Sequence, residues 1–449
     1  MTDAKRSQNT GQRSQIIVLD DDPTGSQTVH GCLLLTRWDV ATLKQGLTDS
    51  SPLFFVLTNT RGMTASRAAE VTRTVCRNLR IALDELATMG DPILPVVVSR
   101  SDSTLRGHYP VETDIINEVL GPFDAHFLVP AFLEGGRITR NGTHYLMVNG
   151  EPVPVHQTEF ARDSVFGYQN SHLPAYVEEK TGGRIHASDV QLLTREKRNA
   201  PLGEPLAGLH DYACVAVDAE SAADLQNFAA HVRTAVAHGK RLLFRSAASL
   251  LTALANLPPQ PVTAENMHKL VRNGRPGAVI VGSHVPTTTR QLEPLLSQPD
   301  VAGIAVDINR IADDRDHLLV DVLTQAQQAF DAGKTPVIFT SRTEKTFADQ
   351  ASRLTFGEQV SALLMDVVRG LPAEIGYLIS KGGITSNDVL SDGLALAASR
   401  VVGQILPGCS VVRCPDDHPR YPGLPVVIFP GNVGDNQALV TVWQRLSAT

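Results

Sequence analysis

Short runs rich in Val, Ile, Leu and Phe recur along the whole chain, and each is followed by a turn containing Gly, Ser or Thr and then by a helical pattern. They include IIVLD from Ile16, LFFVLTN from Leu53, LPVVVSRSD from Leu94, AHFLVPA from Ala125, YACVAVD from Tyr212, RLLFRS from Arg241, GAVIVGS from Gly277, AGIAVD from Ala302, TPVIFTS from Thr335, IGYLIS from Ile375 and PVVIFPG from Pro425. Runs that are apolar on both faces belong to strands covered on both sides, the signature of parallel sheets. Between them, segments such as Ala65 to Met89 and Phe356 to Val368 place apolar residues three and four apart, as amphipathic helices do. The pattern predicts an α/β fold of open, mostly parallel sheets flanked by helices.

A chain of 449 residues exceeds the size at which one hydrophobic core stops growing, so two domains are expected. The stretch NLPPQPVT, Asn256 to Thr263, packs three prolines into eight residues and reads as a semi-rigid connector. This gives a polar tail over 1–15, a first domain over 16–255, the linker over 256–263 and a second domain over 264–449. Residues 137–210 are rich in Gly, Pro, His and short polar turns and read as an excursion from the first domain that covers a site.

The first strand runs directly into three carboxylates, Asp20, Asp21 and Asp22, followed by Pro23, Thr24 and Gly25. An unpaired buried carboxylate costs several kcal/mol, so either cations sit there or a proton is being moved. Two further strand ends carry polar sets: Thr58-Asn59-Thr60-Arg61-Gly62 and Ser99-Arg100-Ser101-Asp102-Ser103-Thr104-Leu105-Arg106-Gly107. In an open parallel sheet such turns meet at the carboxyl edge, where ligands bind. Arginine forks grip a carboxylate in bidentate fashion and Asp side chains accept from hydroxyls, so the mixture suits a small polyhydroxylated acid. Taken one at a time, each Asp also reads as a turn or cap residue and each Arg as part of a structural ion pair.

The second half contains three strand, glycine turn and helix units. They carry Gly282 and Ser283; Gly382, Gly383, Thr385 and Ser386; and Gly431, Asn432 and Gly434. Glycine lets backbone N–H groups approach a ligand, and a helix start adds free donors, so three such turns together point to a nucleotide. Neither G-x-G-x-x-G nor G-x-x-x-x-G-K-[ST] is present.

The net charge of −7 argues against a sequence-independent binder of nucleic acid or anionic membrane. Any anionic ligand must be met by a few placed cations. Five scattered cysteines without a C-x-x-C pair suggest neither a disulfide framework nor a zinc site and suit a reducing cytoplasm; Cys409 and Cys414 read as core or loop thiols. The polar first fifteen residues form no signal peptide, and no run approaches a membrane span, so a cytoplasmic protein is expected.

These residues resemble the four-carbon acid sugar kinases, two-domain enzymes that phosphorylate threonate, erythronate, 3-oxo-tetronates and related acids at the terminal hydroxyl. The resemblance extends over nearly the whole chain from Ile16. It rests on DDDPTGS, TNTRG, SRSDSTLRGHY and VPAFLEGGRITRNGTHYL in the first half and on VGSHVPTTTRQL, KGGITSNDVL and FPGNVGD in the second. It implies that the first domain binds the acid and the second ATP, with Mg²⁺ as cofactor and the active site in the interdomain cleft. Carried over by position, Asp21, Asp22 and Asp102 are the catalytic candidates, Asp22 first as base. Arg61, Arg100, Ser103, Thr104 and Arg106 are the substrate-binding candidates. Ser283, Gly382, Gly383, Ile384, Thr385 and Gly431 would lie against the nucleotide. Asp20, Pro23 and Ile384 depart from the commoner residues of the family's motifs. The expected partners are the small acid and ATP, with a homodimer allowed.

Two other readings compete. Asp20-x-Asp22-x-Thr24 after an apolar strand also fits the D-x-D-x-T element of haloacid-dehalogenase-type phosphatases, with Asp20 as nucleophile and Asp22 as acid/base. That reading leaves D-S-T-L-R-G and the second half unexplained. A two-lobed sugar-acid-binding protein without catalysis is the third.

Overall fold

The computed structural model describes residues 13–341, 350–431 and 433–447. Residues 1–12 of the expected tail, and Asn432 of the last glycine turn, lie outside the described residues. The chain divides into two compact units, one of residues 1–28 and 32–258, the other of residues 29–31 and 259–449.

The first unit contains β1 (Arg13–Asp20), β2 (Leu33–Leu35), β3 (Leu53–Leu57), β4 (Ile93–Arg100), β5 (Ala125–Val129), β6 (Arg137–Arg140), β7 (Thr143–Val148), β8 (Glu151–Pro154), β9 (Gln191–Leu193), β10 (Ala213–Val217) and β11 (Leu242–Ser246). Its main sheet has the order β2-β3-β1-β4-β11-β5-β10-β9, and every pairing in it is parallel. Arg13 to Gln15, expected in the tail, belong instead to the first strand. The Gln15 side chain donates to Ser51 O (2.8 Å) and Arg13 to Asp49 O (3.1 Å), which fixes a segment that reads as merely polar. Ile17, Val18, Phe54, Phe55, Val97 and Val98 are wholly buried, as strands covered on both faces require. Helix Ala65–Thr88 is started by the Thr64 hydroxyl, which accepts from Arg67 N, and buries Ala68, Val71, Val75, Leu79, Ala82 and Leu86 along one stripe.

Residues 137–210 leave this sheet to form the antiparallel sheet β6-β7-β8 and the helix Leu173–Lys180, and return to its edge as β9. They close on their own apolar cluster, in which Tyr168, Leu173, Tyr176 and Val177 pack with Leu105, Tyr109 and Leu128.

The second unit contains β12 (Ala278–Val281), β13 (Val301–Val306), β14 (Thr335–Thr340), β15 (Leu378–Lys381), β16 (Ala398–Leu406), β17 (Cys409–Arg413) and β18 (Pro425–Phe429). Its order is β13-β14-β12-β15-β18-β17-β16, with β17 antiparallel to both neighbours and the other pairings parallel. Strand Leu378–Lys381 leads through Gly382 into the short helix Gly383–Asp388, and the chain ends on helix Ala438–Ser447. The division between units falls between Pro258 and Pro259. Gln260 then ties the connector to the second unit, its amide donating to Gln404 O (3.1 Å) and accepting from Gln404 N (2.9 Å). All five cysteines are buried and unbridged. No helix among the described residues is long and apolar enough to cross a membrane.

Candidate active site

The sheet register of the first unit brings the three polar strand ends together. Asp20, the last residue of β1, lies opposite Leu57 of β3 and Arg100 of β4, and Arg100 lies opposite Ser246 of β11. Arg61, from the turn after β3, spans two of the carboxylates: its Nε is 3.3 Å from Asp21 Oδ2 and its Nη1 is 3.2 Å from Asp22 Oδ2. Arg100 Nη1 is 3.3 Å from Asp20 Oδ1 and 3.8 Å from Asp21 Oδ1. The three consecutive carboxyl groups are therefore met by two guanidiniums, as the cost of burying charge demands.

The carboxylates lie at different depths. Asp20 and Asp21 are buried, whereas the side chains of Asp22 and Asp102 are 23% and 13% exposed. Burial pushes the Asp20 carboxyl up to about 7, opposed by Arg100 and helped by Asp21 and Asp22. Its Oδ2 has no hydrogen-bond partner, and neither does the neighbouring Arg100 Nε or Ser246 Oγ. Burial also raises the Asp22 carboxyl, but Arg61, Arg100 and two hydrogen bonds from Thr24 more than reverse this and leave it below the usual range. At Asp102, Arg61, Arg106 and the Thr104 hydroxyl overcome burial in the same way and hold the carboxyl well below that range. Both outward-facing groups are thus carboxylates at neutral pH.

Arg106 donates from Nε to Asp102 Oδ2 (2.8 Å), and its Nη1 is 3.7 Å from Asp163 Oδ2. Arg106 Nη2 and Asp102 Oδ1 make no hydrogen bond with the described residues, which leaves the pair one unfilled donor and one unfilled acceptor. Of the remaining candidates, Thr104 is 1% exposed and bonded to Asp102, while Ser103 is buried with its carbonyl bonded to His144. Arg100 is 5% exposed and forms the floor of the cluster.

Two glycines permit this crowding. A β-carbon on Gly25 would stand 1.9 Å from the Asp20 carboxylate, and one on Gly107, at φ +126°, would stand 2.4 Å from Ser101 Oγ. Ser101 Oγ donates to Asp21 Oδ2 (2.7 Å) and accepts from Arg245 Nη2 (2.7 Å). Arg245 Nη1 in turn holds Ser99 Oγ (2.7 Å) and Glu112 Oε2 (2.6 Å), and Glu112 also accepts from the Thr60 hydroxyl (2.5 Å). The loop Ser103–Leu105 is gripped from the excursion. His144 Nε2–H donates to Ser103 O (2.7 Å), Tyr168 OH to Thr104 O (2.8 Å) and Tyr176 OH to Leu105 O (2.9 Å). Burial pushes the His144 imidazole down to about 4, so it is neutral, and its Nδ1 accepts from the Thr139 hydroxyl (2.9 Å).

In the second unit the strand ends of β12, β15 and β18 are neighbours, with Val281 opposite Lys381 and Lys381 opposite Phe429. The turns that follow converge. A β-carbon on Gly382 would lie 3.0 Å from Ser283 Cβ and from Thr385 Oγ1, and one on Gly431 would lie 2.9 Å from Ser283 Oγ. Thr288 Oγ1 donates to Gly431 O (2.9 Å). Ser283, Gly382, Gly383, Thr385 and Gly431 are thus brought to one edge, with Ile384, 70% exposed, at its rim. Beneath them Lys381 is fully buried, donates to Pro430 O (2.5 Å) and lies 3.9 Å from the Phe429 ring centroid. Burial without a carboxylate partner pushes its ammonium down to about 7.

The sequence reading did not single out Arg245, Glu112, Lys381, His144, Tyr168 or Tyr176. Arg245 and Lys381 carry a signal of their own, a charge at or next to the end of an apolar strand run. The others meet the site only through distant segments. Among the described residues no group of three or more His, Cys, Asp or Glu is arranged to hold a metal ion, so no residue here is assigned to Mg²⁺.

Two domain families match the chain: a sugar-binding N-terminal domain over residues 16–254 and a nucleotide-binding C-terminal domain over residues 278–439. A D-erythronate kinase from Heliobacterium modesticaldum is 25% identical, covering 95% of this chain and 96% of the relative. A D-threonate kinase from Bordetella bronchiseptica is 24% identical, covering 96% of each. Among solved structures, a Salmonella typhimurium LT2 protein shares the fold with a TM-score of 0.70 at 18% identity over 96% of this chain and 98% of its own. A Haemophilus influenzae protein of the DUF1537 family shares it with a TM-score of 0.63 at 16% identity over 96% of this chain and 100% of its own.

Proposed function

The chain belongs to the four-carbon acid sugar kinase family, and from that premise we propose that it transfers the γ-phosphoryl group of ATP to the terminal hydroxyl of a threonate, erythronate or 3-oxo-tetronate. The observation that carries this reading is the pairing of two partly exposed guanidiniums, Arg61 and Arg106, with two ionised, partly exposed carboxylates, Asp22 and Asp102. A four-carbon sugar acid offers the complement, one carboxylate for the arginines and several hydroxyls for the aspartates. Phosphoryl transfer asks little covalent chemistry of a protein beyond alignment and charge stabilisation, so an ionised carboxylate beside the attacking hydroxyl suffices to take its proton. Asp22, the more exposed of the two, is assigned that role first, and Asp102, whose Oδ1 is unfilled, second. Asp21, buried beneath Arg61, orients that arginine.

ATP is assigned to the second unit. The backbone of Gly382, Gly383 and Gly431 would approach the phosphates, with Ser283 and Thr385 donating to them and Ile384 covering an apolar part of the nucleotide. Mg²⁺ is taken to arrive on the triphosphate, which such ions contact together with few protein groups.

The phosphatase reading requires Asp20 as an exposed nucleophile. Asp20 is wholly buried against Arg100 and the backbone of Gly25, which disfavours it. The test is a coupled ADP-release assay on a panel of four-carbon acids. ADP formation that depends on one of them is the expected result. Phosphate release from sugar phosphates without ATP would overturn the proposal, as would tight acid binding that never consumes ATP.

A further inference from the structure

The second unit also holds a cavity of about 510 Å³ that the kinase reading leaves unused. It lies at the opposite edge of the sheet from the glycine turns. Arg413, which ends β17, pairs with Pro425, the first residue of β18, and with Arg400 near the start of β16. Arg272 N donates to Gly376 O (3.0 Å), just ahead of β15. The turns at Gly382 and Gly431 follow the other ends of these strands. The five residues of β18 put about 16 Å between the two edges at ~3.3 Å per residue.

Four cations face this cavity, Lys269, Arg272, Arg400 and Arg413, against walls that include Val271 and Val402. Arg272 Nη1 is buried without a hydrogen-bond partner. Lys269 is exposed, and its ammonium forms no hydrogen bond or ion pair with the described residues. Arg400 Nη1 donates to Gly31 O (2.9 Å). Arg413 Nη2 reaches Asp416 (2.7 Å) across Gly423, whose φ of +66° and missing β-carbon, 2.9 Å from that nitrogen, make room for the guanidinium. Lys269 and Arg272 have no ion-pair partner among the described residues, and cations lining one cavity repel one another unless an anion enters. A buried guanidinium nitrogen with no acceptor adds the cost of its lost hydration.

We propose that this cavity binds a small organic phosphate, its anionic end between Arg272 and Lys269 and its apolar or planar part along Val271 and Val402. The volume suits such a ligand, since small-molecule pockets span roughly 300–1,000 Å³. The site is independent of the proposed phosphoryl transfer and separate from the glycine turns. Hydrogen exchange on the full chain with AMP as probe tests it. Slowed exchange over residues 269–275 and 415–424 is expected, and Lys269→Gln and Arg272→Gln should each raise the AMP concentration needed at least tenfold while leaving kcat unchanged. Lys269 is exposed, so its variant folds even if the other does not. Protection confined to residues 282–288, 382–388 and 431–435, or unchanged by either variant, would overturn the proposal. Inorganic phosphate protecting the cavity as well as AMP does would remove the apolar half of it.

Discussion

Asp22 and Asp102 keep one side toward solvent while arginines hold them ionised, and this sets what each can be asked to do. Asp22→Asn should lower kcat by about 10²- to 10⁴-fold, the range for losing a general base, with nucleotide affinity nearly unchanged. Near-normal turnover in that variant, with the loss appearing in Asp102→Asn, would move the role to Asp102. Asp20 makes a different prediction. Its carboxyl, raised from 3.8 to about 7, stays protonated in the folded chain over a range where the unfolded chain has lost the proton. The folded state therefore binds more protons between about pH 4 and 7, and this residue's contribution to stability is lost as pH rises through that window. Asp20→Asn should flatten that slope, read as the difference in Tm between wild type and variant at pH 4.5 and 7; an unchanged difference would remove the buried, protonated Asp20 from the account. The triple Asp and the Arg positions were legible because charge at an apolar strand end stands out. Which Asp sinks and which stays exposed was not, since that depends on Arg100 and on the backbone at Gly25, 80 and 5 residues away.

At the level of elements, the strand runs were easy to read because burial on both faces removes polar residues from them. Residues 137–210 stood out only by composition. Their effect on the site passes through hydrogen bonds from His144, Tyr168 and Tyr176 to carbonyls 41, 64 and 71 residues back, a pairing no local pattern encodes. Replacing Tyr168 and Tyr176 by Phe strands two buried carbonyls at about 1–3 kcal/mol each. The double variant should have a lower Tm and a KM for the acid that rises several-fold while the KM for ATP holds. Equal rises in both would make these tyrosines merely structural. The buried Lys381 was missed for a related reason: its partners are carbonyls of Pro430 and Gly431, brought beside it only when β15 and β18 pair.

For the molecule as a whole, length and the proline cluster pointed to two bodies, but the short segment Val29–Gly31, which joins the second unit through Gly31 N and Val401 O (2.7 Å), carried no signal in the sequence. If each ligand is held as proposed, hydrogen exchange should separate them. A four-carbon acid alone should protect segments 20–26, 58–62 and 100–107, and ATP alone segments 282–288 and 382–388. Protection of the first set by ATP alone would contradict the assignment of ligands to units.

The five cysteines bear on how the molecule can be studied. All are enclosed, Cys32 wholly so, and burial pushes the Cys214 and Cys414 thiols up to about 12 and those of Cys76 and Cys409 higher still, so these four carry almost no thiolate at neutral pH. The native chain is in effect silent toward maleimides and mild oxidants. A single cysteine engineered onto its surface would be the one reactive handle, which lets a dye be attached at a chosen point with the natural thiols left in place.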